Sequence, residues 1–248
     1  MAEFDAAPAN PGRTHLVAQV QRPPSLANLV TDQIRELIIT GTLDLGAQLS
    51  ENTLAEQLNV SRTPVREAFM RLAGESLVEV RPQRGTFVFN CDAAGIQALC
   101  ELREVLETGA LRLAFSRNGK ALVRRLKAIN DAGEAASARS MTGYHPHDHA
   151  FHQALIGASD NPELVEAYAR VAGRVRALRY RYTKTLDEVQ TSQAAHRRLV
   201  DHLKANDLAA AVMVLRDHVY ASLRNFTRRH TEGQGGVSEV KEEESRGK

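Results

Sequence analysis

The stretch from Leu49 to Leu72 constrains the fold most strongly, because it has the pattern of two short helices around a tight turn. The second helix places apolar side chains at the i, i+3, i+4 and i+7 positions of one buried face: Val65, Ala68, Phe69 and Leu72. Ser61 precedes this helix, where its side-chain oxygen is expected to cap it. The pattern predicts a helix-turn-helix.

Two arginines and a threonine occupy the start of the second helix: Arg62, Thr63 and Arg66. They fall on its exposed N-terminal end. A helix-turn-helix presents this part of its recognition helix to base edges in the major groove of DNA. Alternatively, these residues form an ordinary solvated helix face without a binding role.

A predicted hairpin follows, because β-rich runs over residues 77–81 and 86–89 flank the sequence Pro82-Gln83-Arg84-Gly85. One further helix is predicted from Ser25 to a C-cap at Gly41. Together these elements indicate a winged helix-turn-helix, with Arg84 and Gly85 at the tip of the wing.

From Asp92 onward the pattern is helical only, with breaks at short loops. We therefore predict a mainly α protein, with an N-terminal winged helix-turn-helix, a small β-hairpin wing and a C-terminal all-α bundle of about six helices. The predicted divisions are a disordered arm (1–22), a DNA-binding domain (23–90), a helical domain (92–230) and a disordered tail (231–248).

Composition narrows the class of protein without identifying a partner. The chain has 248 residues, of which 43% are hydrophobic and 25% charged, as in soluble globular proteins. The sequence has neither a run long enough to span a membrane nor a signal peptide at its start. Two cysteines, Cys91 and Cys100, do not form a disulfide framework and favour a cytoplasmic location. The net charge of +2 does not indicate nucleic acid, so the position of the arginines carries that prediction.

The helical domain contains one pattern typical of a metal site. Asp148 and His152 are four residues apart and share a helical face, and His196 and His218 lie on later helices. One oxygen and three nitrogens suit Zn²⁺, Ni²⁺ or Mn²⁺ better than Ca²⁺. Spacing alone does not exclude that these residues bind no metal, because a histidine on a helix is more often solvated or hydrogen-bonded than a metal ligand. A rival pair, His145 and His149, has the same spacing, although Gly143 and Pro146 suggest that His145 precedes the helix.

The run from Leu49 to Ala68 resembles the DNA-binding domain of GntR-family regulators, and the wing from Arg84 to Val88 fits it. The helical domain resembles the ligand domain of the FadR-like subfamily, called the FCD domain. The residues that carry this second resemblance are Glu101–Glu107, Asp148-x-x-Phe-His152, Ala158–Leu164, His196 and His218. The resemblance covers roughly residues 26–229.

This resemblance implies a homodimer that binds a pseudo-palindromic operator in double-stranded DNA, and a small carboxylate effector held beside a divalent metal ion. Carried over by position, the implied DNA contacts are Arg35, Ser61, Arg62, Thr63, Arg66, Arg84 and Gly85. The implied metal ligands are Asp148, His152, His196 and His218, and Arg103 is the implied effector contact. Two departures concern Asn52, where some members have an arginine that contacts DNA, and Ser76, where glycine is common.

These features favour a bacterial transcriptional regulator, a repressor of a catabolic operon, rather than an enzyme. The alternative from another class is a metal-dependent hydrolase that uses the Asp/His₃ set to activate water. Two further alternatives keep the DNA binding: one makes the metal purely structural, and the other makes the metal ion itself the signal.

Overall fold

The structure, a computed structural model, describes residues 25–138 and 140–246, with side chains described up to residue 232 except at residue 141. The predicted arm over 1–22 lies outside the described residues. No helix in the described part of the chain is long and apolar enough to cross a membrane.

The N-terminal part is the predicted winged helix-turn-helix. Its elements are α1 (Leu26–Thr40), β1 (Gln48–Leu49), α2 (Glu51–Gln57), α3 (Arg62–Gly74), β2 (Val78–Arg81) and β3 (Gly85–Val88). The wing has one strand more than the predicted hairpin, because β1 adds to it in the antiparallel order β1-β3-β2. Gln48 pairs with Phe87 across β1 and β3, and Val78 pairs with Val88 across β2 and β3.

Local capping explains where these helices begin, with one correction. Ser25 accepts a hydrogen bond from the amide of Asn28, and Ser50 accepts one from the amide of Thr53. Ser61 occupies the N-cap position of α3 as predicted, but its side chain makes no capping hydrogen bond. Pro64 lies buried in the first turn, where a missing N–H costs little.

The remainder is the predicted helical bundle. It comprises α4 (Ala93–Ser137), a 3-10 turn (Met141–Gly143), α5 (Tyr144–Gly157), α6 (Pro162–Tyr182), α7 (Leu186–Lys204) and α8 (Leu208–Arg246). Asn118 has a non-helical backbone (φ −156°, ψ 68°) that breaks α4 in two, which confirms the predicted break and gives six helical segments.

Two boundaries of the bundle differ from the prediction. The helix α5 begins at Tyr144, so His145 lies inside it; proline is tolerated in a first turn, and Pro146 therefore does not exclude this start. The helix α8 continues to Arg246 through most of the segment predicted as a disordered tail. Glutamate, lysine and arginine have high helix propensity, so the composition that suggested disorder is also compatible with helix. Residues 247 and 248 lie outside the described residues.

The helix α6 joins the two parts of the chain. Ala177 is completely buried among the core residues of the winged helix, which include Ile38 and Leu77. A Cβ atom added at Gly173 would lie only 2.9 Å from Leu77 Cδ1, so the absence of a side chain there permits the close approach. The helical domain therefore packs directly against the hydrophobic core below the wing.

Candidate functional site

The start of α3 is exposed and cationic, as a DNA-reading surface requires. Ser61, Arg62, Thr63 and Arg66 are all exposed. Glu51 of α2 lies against both arginines: its Oε2 is 2.8 Å from Arg66 Nη2 and 3.6 Å from Arg62 Nη2. One carboxylate therefore holds the two predicted base-reading arginines together.

The tip of the wing needs glycine for its shape. Gly85 has a φ of 108°, which side-chain-bearing residues rarely adopt, and a Cβ there would lie 2.9 Å from Gln48 Nε2. Gln48 Nε2 donates to the carbonyl of Arg84 at 3.1 Å. Strand β1 thus fixes the tip, and the Arg84 side chain is left exposed.

Arg35 is occupied within the protein. Its Nε and Nη2 each donate to Glu75 at 2.7 Å, and it also pairs with Asp32. The Glu75 hydrogen bond outweighs burial and raises the pKa of Arg35. Any contact of Arg35 with a phosphate would have to coexist with this bidentate pair.

The serine at position 76, where the resemblance implies a glycine, affects the local backbone conformation. Ser76 follows the end of α3 and has a φ of 58°, in the left-handed region. Such a backbone is easy for glycine and strained for residues with a Cβ. The wing nevertheless forms, because the amides of Ser76 and Leu77 still bond to the carbonyls of Ala73 and Leu72.

In the helical domain, the four residues predicted as metal ligands come together. One ligand atom from each of Asp148, His152, His196 and His218 lies within 4.8 Å of the others, and all four residues are buried. Helix α5 supplies Asp148 and His152 on one face, while α7 and α8 supply one histidine each. The resemblance and the i, i+4 spacing therefore point to residues that the fold does bring together.

Protonation in this cluster favours a cation. Burial lowers the pKa of His196 to about 3, against the opposing effect of Asp148. Burial likewise holds the pKa of His218 well below its usual range. Burial tends to raise the pKa of Asp148, but the charge of Arg179 holds it well below its usual range. The cluster thus presents an ionised carboxylate with neutral imidazoles at His196 and His218.

Residues from α4 and α6 surround His152. Its Nδ1 lies 2.9 Å from Glu107 Oε2, so a proton on Nδ1 would leave Nε2 as the acceptor of the ring, which faces Arg103 Nη2 at 3.0 Å. Glu107 also accepts hydrogen bonds from Arg103 Nε at 2.7 Å and from the Tyr168 hydroxyl at 3.0 Å. Burial opposes ionisation of Glu107, but Arg103 and His152 lower its pKa.

The predicted effector contact, Arg103, is fully buried at this site. Its Nη2 lies 3.0 Å from His152 Nε2, and its Nη1 has no hydrogen-bond partner among the described residues. The structure thus brings Arg103 beside the four candidate ligands.

The sequence reasoning missed three residues that contact Asp148. Arg179 of α6 forms an ion pair with its Oδ2. The Tyr144 hydroxyl donates to Asp148 Oδ1 at 2.8 Å, and Ser192 Oγ donates to the same oxygen at 3.4 Å. Tyr144 is one turn before Asp148 on α5, so its i, i+4 spacing was a usable signal; Arg179 and Ser192 are distant in sequence and carried none.

A cavity of about 640 Å³ opens beside this cluster. His218, Tyr144, Arg179 and Ser192 are among the residues that line it. Further basic residues line the same cavity, namely Arg198, Arg224 and Arg228, together with the acids Asp187, Glu188 and Asp217. The volume is within the range of sites for small organic ligands.

The donor set fits a divalent metal ion. Metal ligands must be deprotonated, and the low pKa values of His196, His218 and Asp148 meet that requirement. His196 Nε2 is buried and has no hydrogen-bond partner among the described residues, although it lies 3.8 Å from Asp148 Oδ1. A bound ion would supply a Lewis acid to which a ligand oxygen can be held.

The rival histidine pair has different surroundings. His145 packs against Tyr180, with ring centroids 4.9 Å apart, and lines a separate cleft. Burial, with the charge of Arg179 as a further cause, lowers its pKa to about 4. Neither His145 nor His149 belongs to the four-residue cluster that the described residues form.

Comparison with known families matches both parts of the chain. The model for bacterial regulatory proteins of the gntR family matches residues 26–88, and the FCD domain model matches residues 98–221. The chain belongs to the GntR family and carries an FCD domain. It is a transcriptional regulator, and the metal-dependent hydrolase alternative is set aside because the family and the relatives are regulators and not enzymes.

Relatives of this regulator share most of its length. It is 32% identical over 197 residues to an uncharacterized HTH-type transcriptional regulator in an unstable DNA locus of Streptomyces ambofaciens, covering 79% of this chain and 83% of the relative. It is 30% identical over 203 residues to the probable D-xylose utilization operon transcriptional repressor of Paenarthrobacter nicotinovorans, covering 78% and 87%. It is 26% identical over 200 residues to the gluconate operon transcriptional repressor of Bacillus subtilis, covering 75% and 79%.

Solved structures agree with the fold. A GntR crystal structure from Rhodococcus sp. RHA1 matches with a TM-score of 0.68 and 26% identity, covering 81% of this chain and 96% of the other. The Escherichia coli McbR/YncC structure also has a TM-score of 0.68, at 24% identity, covering 84% and 100%.

Proposed function

We propose that this regulator represses a catabolic operon in the cytoplasm and that a small organic acid, bound beside a divalent metal ion in the helical domain, changes its affinity for the operator. The observation that carries the proposal is the buried Asp148–His152–His196–His218 cluster, whose His218 lines the cavity of about 640 Å³ together with Arg179. A purely DNA-binding protein would have no need for such a site.

The ligand class follows from the charges beside the cluster. Arg179 and Arg103 place two guanidinium groups beside the cluster, and a guanidinium fork suits a carboxylate. A metal ion would add a further site for a carboxylate oxygen. One relative is named as a gluconate operon repressor, which makes gluconate, a carboxylate, the first compound to test; xylose, from the name of a second relative, is a neutral comparison.

On the DNA side, the proposed contacts are Ser61, Arg62, Thr63 and Arg66 in the major groove, with Arg84 and Gly85 of the wing and Arg35 at the phosphates. A dimer would place two such surfaces on the half-sites of a pseudo-palindromic operator. An exposed apolar pair on α4 supports dimerisation: Leu102 is 46% and Val105 62% exposed.

Fluorescence anisotropy with the duplex upstream of the regulator's own gene tests this function. We expect nanomolar binding in low salt that weakens when gluconate or another carboxylic acid is added to metal-loaded protein. Metal analysis of the purified protein, before and after EDTA, reports the ion independently. If no acid changes the operator affinity but the thermal stability depends on metal, the metal is purely structural. Operator affinity that follows the metal alone would favour a metal sensor.

A further inference from the structure

The helix α6 presents different faces to the two functional parts of the regulator. Gly173, Arg176, Ala177 and Arg181 recur at helical spacing and contact the winged helix. Arg179 lies two residues beyond Ala177, which places it about 200° around the helix axis. The arginine that pairs with Asp148 therefore projects from a different side of α6 than Ala177.

The contacts with the DNA-binding domain are specific as well as apolar. Arg181 Nη2 donates to the carbonyl of Leu43 at 2.8 Å, just beyond the end of α1. Arg176 Nη2 lies 3.1 Å from Glu36 Oε1 on α1. Ala177 fills the core between these two polar contacts. A displacement of this part of α6 would therefore also displace α1.

Arg179 also borders two cavities. It lines the 640 Å³ cavity beside the metal-ligand cluster and a second cleft of about 310 Å³ that reaches Glu36 and Ile39 of α1. The side chain is only 8% exposed. Its Nη1 pairs with Asp148, whereas its Nη2 is buried and has no hydrogen-bond partner among the described residues.

A buried guanidinium N–H without an acceptor is costly, and a ligand that supplies an acceptor removes that cost. A carboxylate is the acceptor that best fits a guanidinium fork. We propose that Arg179 is the residue through which a carboxylate in the large cavity acts on the DNA-binding domain. The carboxylate accepts from Nη2, the Arg179–Asp148 pair rearranges, and α6 transmits the change to α1.

This inference rests on the proposed function, since it concerns the response to an acid. It also differs from the role implied for Arg103, which lies on α4 and not on α6. A ligand can shift the equilibrium only by its differential affinity for two arrangements. Arg179 provides that difference, because its partner changes when the acid binds.

The test compares wild type, Arg179→Met and Arg179→Lys with the control Arg170→Met, an arginine of α6 that is exposed and pairs with Glu166. Gluconate, lactate and citrate are the probes, with metal-loaded full-length protein. Operator affinity is measured with and without each acid, and calorimetry reports acid binding. We expect an active acid to change the operator affinity of wild type and of Arg170→Met roughly tenfold. In Arg179→Met the same acid should change it less than about twofold, with an intermediate change in Arg179→Lys.

Hydrogen exchange supplies a second readout that does not depend on a variant that folds. The active acid should alter amide exchange in wild-type α6 and α1. Exchange that changes only in α7 and α8 would overturn the route, as would an Arg179→Met variant that responds like wild type. If none of the acids binds wild type or changes its operator affinity, the proposed effector class fails together with this inference. A responsive wild type with a responsive Arg179→Met variant refutes only the role of Arg179.

Discussion

Glu51 accepts two hydrogen bonds from Arg66, at 3.1 Å from Nε and 2.8 Å from Nη2, so the recognition helix is tied to the preceding helix by a bidentate ion pair. This pair occupies the Nε–Nη2 edge of the Arg66 guanidinium and leaves Nη1 available for the proposed contact with DNA. It also keeps a negative charge on the surface that must approach phosphates.

Substitution Glu51→Gln should therefore strengthen binding to DNA of any sequence and reduce discrimination. Removing a carboxylate from the interface lessens repulsion by phosphates, and freeing Arg62 and Arg66 lets both pair with the backbone. We expect the ratio of operator affinity to random-duplex affinity to fall roughly tenfold, about the value of one good bidentate base contact. Anisotropy at several salt concentrations measures both affinities. Glu56→Gln, on the same helix, is the matched control, and an equal loss of discrimination there would contradict the role of Glu51.

The left-handed backbone at Ser76 predicts a stabilising substitution. Ser76→Gly should raise the free energy of unfolding by about 1 kcal/mol, because glycine adopts a φ of 58° without the Cβ clash. Urea unfolding measures the change. Ser76→Ala keeps the Cβ and should bring no gain, so equal stabilisation by alanine and glycine would show that backbone strain is not the cause.

Metal binding should stabilise the helical domain through His196. In wild type, excess Zn²⁺, Ni²⁺ or Mn²⁺ at about 100 times its dissociation constant should add about 2.7 kcal/mol to the free energy of unfolding. His196→Asn should abolish most of this gain, because the buried Nε2 that lacks a hydrogen-bond partner is lost. The control His202→Asn changes a surface histidine of the same helix. Thermal melts with and without EDTA test whether His196 is a ligand. An equal metal-induced gain in stability in His196→Asn would exclude this histidine as a ligand.

Acid should destabilise the metal-free protein in a defined pH window. Burial, helped by the charge of Arg176, lowers the pKa of His149 to about 3, whereas an unfolded chain has a histidine pKa of about 6.5. Between these values the unfolded chain binds a proton that the folded protein does not, so the free energy of unfolding falls as the pH falls. His149→Asn should make this decline shallower. Urea unfolding in EDTA between about pH 7 and pH 5 tests it, and an unchanged slope would refute the contribution of His149.

The exposed apolar pair on α4 predicts a dimer-breaking substitution. Leu102 and Val105 are one helical turn apart and lie on one side of α4. Val105→Glu should place a charge in the proposed interface and shift the protein towards monomer in sedimentation velocity, with weaker operator binding. Val165→Glu, at a valine of α6 that is 40% exposed, is the control. A Val105→Glu variant that remains dimeric would place the interface elsewhere.

Local pattern was sufficient for much of the fold. The helix-turn-helix, the wing and the break at Asn118 depend on residues near one another in sequence, so periodicity and turn residues predict them. Strand β1 was missed because its two residues gain strand character only by pairing with β3, some forty residues away. The Ser61 side chain is a smaller miss, since an N-cap residue type does not guarantee the hydrogen bond.

The candidate site likewise contains residues that local sequence pattern can predict and residues that it cannot. Asp148 and His152 could be paired from helical spacing, and the resemblance added His196 and His218. Glu107 and Arg179 reach the cluster only because α4 and α6 pack beside α5, and no spacing rule encodes that packing. Arg179 in particular looks like any other arginine in a basic helix until the fold shows it buried beside a carboxylate.

The close approach of Gly173 to Leu77, with Ala177 in the core of the winged helix, bears on how such proteins exchange parts during evolution. A helical domain that completes the core of its DNA-binding partner cannot be replaced by one with bulky residues at these two positions without a clash. Successful recombination between relatives should therefore carry small residues there, or a compensating loss of volume at Leu77. The two domains of this regulator are in this sense a matched pair.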